Sequence, residues 1–267
     1  MAIVTALVAA TAWAYSKTRP VHLPPADAVV VKKLGRLCFP CDKSHASQAN
    51  AMAKRFYGAE AIPLATYELW RKTNPNILVC LTSTNNEVVG YFDVLPLKSP
   101  AMDMFIQGRI VEGDFQADDL YSPAEAADCD QLYLAGITVN EPGRQSDSRN
   151  ASVLIWALVK YLQYFHPATA KTRDLYALAS TLQGEGLIRA FDGFDVVTPA
   201  SVRTDGHDLY RFRYSADQLD EALTMLPGWG ARVPIPWEAR PASLPAVSKT
   251  PGRPSKFRKR KARGERV

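Results

Sequence analysis

The stretch from Gln131 to Ala179 constrains this chain more than any other. Gln131–Val139 (QLYLAGITV) is an apolar run of strand length. A polar loop follows, Glu141–Ser148, containing Pro142-Gly143. Arg149–Phe165 then reads as a helix apolar on nearly every side, through Val153, Leu154, Ile155, Trp156, Leu158, Val159 and Leu162. Such a helix is buried on more than one face. His166-Pro167 stops it, since proline lacks an amide donor and disfavours helix just before it. Asp174–Ala179 is a second strand. Strand, polar loop, buried helix, strand is the repeating unit of α/β chains.

The flanking sequence supplies further elements. Ala28–Leu34 reads as a strand, Ser44–Tyr57 as a helix capped by Ser44, and Leu64–Lys72 as a helix stopped at Asn74-Pro75. Asn76–Thr84 and Glu87–Leu97 are β-rich runs around an Asn85-Asn86 turn, which makes a hairpin. Ser99–Arg109 reads as a short helix capped by Ser99. After the central unit come a helix at Gln183–Phe191 capped by Thr181, strands at Phe194–Val197 and Asp208–Tyr214, and a helix at Ala216–Leu226. The expected domain spans residues 26–226. An apolar segment and proline-rich linker precede it (1–25), and a proline-rich linker and disordered basic tail follow (227–267).

Charge is uneven along the chain. The formal +5 comes from 32 Lys+Arg against 27 Asp+Glu. Lys249–Val267 holds nine basic residues against the single acid Glu265, a balance of +8, which leaves −3 for residues 1–248. The basic pI therefore belongs to the tail and does not mark the fold as a nucleic-acid binder. The tail has three readings: an arm for nucleic-acid phosphates, a contact for an anionic membrane surface, or an aid to solubility. No Lys or Arg lies between Arg109 and Arg144, where Glu112, Asp114, Asp118, Asp119, Glu125, Asp128 and Asp130 fall. This acidic stretch reads as an insertion, suited to a cationic substrate or to the chain's own tail.

Residues 2–15 (AIVTALVAATAWAY) are too short an apolar run to span a bilayer. They read as a helix packed on the domain, a weak membrane anchor, or an upstream extension, and the expected location is the cytoplasm. Cys38 and Cys41 form a CxxC with His45 nearby, but no second CxxC completes a zinc set. Reduced, mostly buried thiols and no metal are expected.

The loop before the central helix is the first candidate site. Free amides at a helix N-terminus, together with the helix dipole, suit phosphate or pyrophosphate. Arg144, Gln145, Ser146, Ser148, Arg149 and Asn150 crowd that place, and guanidinium pairs well with phosphate.

The chain resembles the GNAT superfamily of N-acetyltransferases over roughly Ile62–Tyr214. The resemblance rests on four segments in order: the hairpin with GYFDVLPL, the strand LYLAGITV followed by Pro142, the loop and helix RQSDSRNASVLIWAL, and the step LIRAFDGFDVV. It implies an α/β fold with a mixed, mostly antiparallel central sheet flanked by helices, its two central strands splayed at Ile137–Val139 and Leu175–Ala179. It implies acetyl-CoA as cofactor. The backbone of Ile137 and Val139 would pair with the pantetheine arm, with Thr138 between them also at the cofactor, and Arg144 to Ala151 would hold the pyrophosphate. It implies direct acyl transfer to an amine of a small molecule or protein. Two departures stand out: Arg149 replaces the first loop glycine, and Arg189 replaces the tyrosine that usually protonates the leaving thiolate. Asp130 and Glu141, flanking the central strand, are the candidate bases, and Tyr210 is a substitute acid. The alternative is a catalytically degenerate binding or regulatory module on the same fold, associated with nucleic acid through the tail.

Overall fold

The computed structural model describes residues 36–126, 129–140, 145–166, 172–190, 193–225 and 235–237. The expected strand Ala28–Leu34, the apolar segment 2–15 and the basic tail lie outside those residues.

In chain order the elements are β1 (Arg36–Cys38), α1 (Lys43–Tyr57), α2 (Leu64–Thr73), β2 (Leu78–Thr82), β3 (Val88–Leu95), α3 (Ser99–Ile106), β4 (Gln131–Val139), α4 (Gln145–Tyr164), β5 (Arg173–Leu178), α5 (Leu182–Ala190), β6 (Phe194–Thr198), β7 (Leu209–Tyr214) and α6 (Ala216–Met225). The strands form one seven-stranded sheet in the order β1-β2-β3-β4-β5-β7-β6. Every pair is antiparallel except β4–β5. That exception follows from the sequence, because a long crossover helix is what lets two strands run parallel.

Several boundaries move for local reasons. Asp42, not Ser44, caps α1, accepting from the His45 amide at 2.8 Å. Ser99 is the first residue of α3 and makes no capping bond, and the helix ends at Ile106, ahead of Gly108 with its φ of +70°. α4 begins at Gln145, four residues before the expected Arg149. Thr181 does cap α5, accepting from the Gly184 amide at 3.0 Å. The hairpin turns where expected: Asn86 takes a φ of +63°, which asparagine tolerates, and Ser83 Oγ accepts from the Asn85 and Glu87 amides.

Each face of the sheet carries its own apolar layer. One face packs α4 and α6 against Phe92, Val94, Leu175 and Phe212. Val153, Leu154 and Ala157 of α4 are wholly buried, as a helix without a polar face demands. This layer reaches past residue 226: Ile235 and Trp237 are buried in it, with Trp237 edge-on to Phe39 and Tyr161. The other face packs α1, α2 and α3 over Ile77, Cys80, Tyr91 and Tyr133.

The acidic stretch has structure of its own. It folds as two short 3-10 turns, Glu112–Asp114 and Ala117–Asp119, over the second layer. Phe115 and Leu120 are buried there, and Trp70 Nε1 donates to the Phe115 carbonyl at 3.0 Å. Asp114, Asp118, Glu125 and Asp130 are exposed while Phe115 and Leu120 point in, and Glu112 is half-buried.

Candidate functional site

β4 pairs with β5 only from Gln131–Leu134, opposite Asp174–Ala177. On its other edge it stays paired with β3 as far as Val139. From Ala135 to Val139 it therefore has no strand partner on the β5 side among the described residues. The cause is local. Asp93 pairs with Gly136 and Val94 with Leu134, so Ala135 is an extra residue opposite nothing. A bulge of this kind bends the strand and increases its twist. The β4–β5 pair, the one parallel pair among the described residues, is thus forked at Ala135.

A cavity of about 390 Å³ opens at the fork, on the α1–α2 face. Ala135 and Leu178, the first unpaired residues of the two strands, help to line it. Tyr57, Tyr67, Tyr91 and Tyr133 give it aromatic walls, and Asp93 and Glu112 are its inner carboxyls. Alternation along β3 and β4 places these side chains: Tyr91, Asp93, Tyr133 and Ala135 share one face.

Asp93 is 9% exposed, and its Oδ1 has no hydrogen-bond partner among the described residues. Burial pushes its carboxyl well above the usual aspartate range, and the nearby Glu112 charge pushes it further. Glu112 accepts a hydrogen bond from Tyr133 Oη at 2.8 Å. Burial raises Glu112 to about 7; the Tyr133 bond opposes that rise and Asp205 adds to it. The Tyr67 hydroxyl is buried and also without a partner. Burial, and then the Asp93 charge, hold Tyr57, Tyr67 and Tyr91 above the ordinary phenol value. Glu112, raised to about 7 beside a second carboxyl of raised proton affinity in a tyrosine-walled cavity, can exchange protons near neutral pH.

Sequence reading missed both carboxyls. Asp93 stands in GYFDVLPL, a charge in the middle of an otherwise apolar strand, and that was its signal. Glu112 stands among seven acids and nothing in the sequence marks it out. Of the candidates proposed from sequence, Asp130 is exposed at the start of β4, at the paired end of the fork. It lies about 16 Å along the strand from Ala135, at 3.3 Å per residue, too far to act as a base there. Tyr210 sits beside the fork, opposite Ala177, but on the α5 face with Ile188 and not in the cavity. Its hydroxyl is raised by burial and by Asp208. Glu141 and Arg144 lie outside the described residues, as do the side chains of Gln145, Ser146, Ser148 and Arg149. The backbone of Gln145–Ala151 forms the first turns of α4, with Asn150 and Ala151 half-buried. Ile137, Thr138 and Val139 lie on the unpaired part of β4 and are half-buried. Arg189 is exposed and pairs with Glu185 at 2.5 Å.

Among the described residues no group of His, Cys, Asp and Glu is arranged to hold a metal ion, and no helix is long and apolar enough to cross a membrane.

No family model matches the chain, and no curated protein matches it. Among solved structures it is similar to Ard1 of Thermoplasma volcanium, at 11% identity and a TM-score of 0.43 over 68% of this chain and 97% of that one. It is similar to the GNAT family N-acetyltransferase YhbS of Escherichia coli in complex with CoA, at 14% identity and a TM-score of 0.40 over 75% and 89% of the two chains. A chain of the NatC complex bound to Gag peptide and CoA is similar at 10% identity and a TM-score of 0.43, over 67% and 98%.

Proposed function

We propose that this chain is an acetyl-CoA-dependent N-acyltransferase of the GNAT type, acting on an amine. The observation that carries the reading is the fork: the sheet's one parallel pair parts at Ala135, beside a cavity that holds two protonatable carboxyls. The four segments resembling that superfamily support it.

The residues fit such a cofactor. Backbone groups of Thr138 face β3, while those of Ile137 and Val139 on either side of it face the fork and have no strand partner there among the described residues. Such groups need hydrogen bonds and can take them from an extended, amide-bearing arm. The amino end of α4, over Gln145–Ala151 with Arg144 before it, suits a pyrophosphate. Acetyl-CoA, when bound, supplies an activated acyl thioester.

The chain's own residues manage protons. With a value of about 7, Glu112 is near half-ionised at neutral pH and takes a proton from an amine entering the cavity. Tyr133 holds that carboxylate in place. Burial biases the Asp93 carboxyl beside it toward the protonated form. The four tyrosines give the cavity walls with aromatic surface around these carboxyls. Tyr210, on the α5 face of the fork, offers a hydroxyl from which a proton can reach the leaving group.

The test is CoA-thiol release by the full chain, with acetyl-CoA and a panel of primary amines, at pH 7–8. Release that depends on the amine supports the reading, and Glu112→Gln is expected to lower it about 100-fold. Binding of acetyl-CoA with no transfer to any amine would leave a binding module instead.

A further inference from the structure

We infer that Cys38 and Cys41 form a peroxide-oxidisable dithiol, a modification site at the corner between β1 and α1. This inference does not depend on the acyltransferase reading.

All four cysteines are free, and Cys41, Cys80 and Cys129 are buried while Cys38 is half-buried. Access alone thus selects Cys38 as the thiol that a small oxidant meets first. It also has polar neighbours. Cys38 Sγ lies 4.0 Å from His45 Nε2 and 3.8 Å from Thr82 Oγ1. On the far side of the ring, His45 Nδ1 lies 3.0 Å from Asp42 Oδ1, at ion-pair distance although without hydrogen-bond geometry. An imidazole between a thiol and a carboxylate is the arrangement that activates a nucleophilic cysteine. Two further positive features sit at the same corner. The first amides of α1, a helix of 15 residues, begin two residues after Cys41. The Arg71 guanidinium, which also pairs with Glu68, donates to the Cys41 carbonyl.

Cys41, three residues on at the same corner, is the resolving thiol in this proposal, with Cys80 beside it as the competing partner. Cys41 Sγ donates to the Cys38 carbonyl at 3.3 Å and to the Leu78 carbonyl at 3.5 Å. The step balances with hydrogen peroxide as oxidant. The Cys38 thiolate attacks one peroxide oxygen, the O–O bond breaks, and hydroxide leaves and is protonated to water. The resulting sulfenic acid is attacked by Cys41, the S–S bond forms, the S–O bond breaks, and a second water departs. Two thiols are oxidised and one peroxide is reduced. The pair begins the segment leading into α1, whose Ala49, Asn50 and Ala53 line the cavity at the fork, so oxidation is positioned to alter that wall.

The experiment treats the reduced full chain with hydrogen peroxide after the reductant is removed. Thiols are counted over time and the tryptic peptide Leu37–Lys43 is weighed. The expected result is loss of one pair of thiols, at least 10-fold faster than glutathione under the same conditions. That peptide becomes lighter by two hydrogens. Cys41→Ser should stop at a dimedone-reactive sulfenic acid on Cys38, and His45→Gln should slow the first step. Peptide mass is read on the unsubstituted chain, so the outcome stands even if a variant folds poorly. Oxidation no faster than glutathione, or a crosslink that uses Cys80 or Cys129, would overturn the inference.

Discussion

Asp93 and Gly136 face each other across the β3–β4 pair at the bulge, so closely that a Cβ on Gly136 would lie 2.8 Å from Asp93 Oδ1. The missing side chain at residue 136 is what lets a carboxyl stand inside the sheet beside the fork. Gly136→Ala should therefore displace the Asp93 carboxyl and cost about 1–3 kcal/mol of stability, the usual range for overpacking. Urea unfolding measures it. The companion Asp93→Ala/Gly136→Ala pair should be clearly less destabilised than the sum of the single changes, because the clash needs both side chains. Strict additivity would mean that the two residues do not press on each other.

Glu112 sets the expected pH dependence of the reaction. Its value of about 7 makes kcat/KM rise with pH through that region and level off above it, since the ionised form takes the proton. Glu112→Gln should remove the inflection as well as most of the rate. Tyr133→Phe removes the hydrogen bond that opposes the rise. The inflection should therefore move to higher pH in that variant, a direction that a merely structural role for Tyr133 would not produce.

The same carboxyl should be visible in stability. Glu112 titrates near 4.5 when unfolded and near 7 when folded. Below both values neither state is charged and folding pays no penalty. As pH rises from 4.5 to 7, the unfolded state ionises first and stability falls, by roughly 3 kcal/mol for a difference of this size. The burial of Asp93 acts in the same direction. Unfolding followed at pH 5 and pH 8 should show the unsubstituted chain losing stability relative to Glu112→Gln. An equal difference at both pH values would contradict the raised affinity.

Trp237 tests how far the core extends. It is 1% exposed and packs on Phe39 and Tyr161, although it follows the last helix by twelve residues. Trp237→Ala should cost about 3–5 kcal/mol, as for a large buried aromatic ring. A change under 1 kcal/mol in thermal or urea unfolding would show that the segment is dispensable.

The central unit was legible because its signals are long and repeated. QLYLAGITV and the all-apolar helix after it admit few alternatives, and β5, β6, β7 and their helices fell within a residue or two of expectation. The caps were less legible: Asp42 and Ser44 are both good capping residues, and backbone geometry chose Asp42. The acidic stretch misled because composition outweighed its spaced apolar residues, Phe115, Leu120, Ala126 and Cys129, which are what pack. The bulge at Ala135 left no trace, since it depends on the register of two strands some forty residues apart. For that reason the base was sought at the ends of β4, at Asp130 and Glu141. The carboxyls beside the fork come instead from β3 and from the turn before Phe115.

The central claim is that the forked β4–β5 pair receives acetyl-CoA. Titration calorimetry of the full chain with acetyl-CoA tests it without any assumption about the acceptor. One site per chain is expected, with a dissociation constant on the order of 1 μM to 1 mM, the usual range for a substrate. Weaker binding is expected when Val139→Pro removes an amide from the edge of β4 that faces away from β3. The absence of any binding heat up to millimolar acetyl-CoA would contradict it.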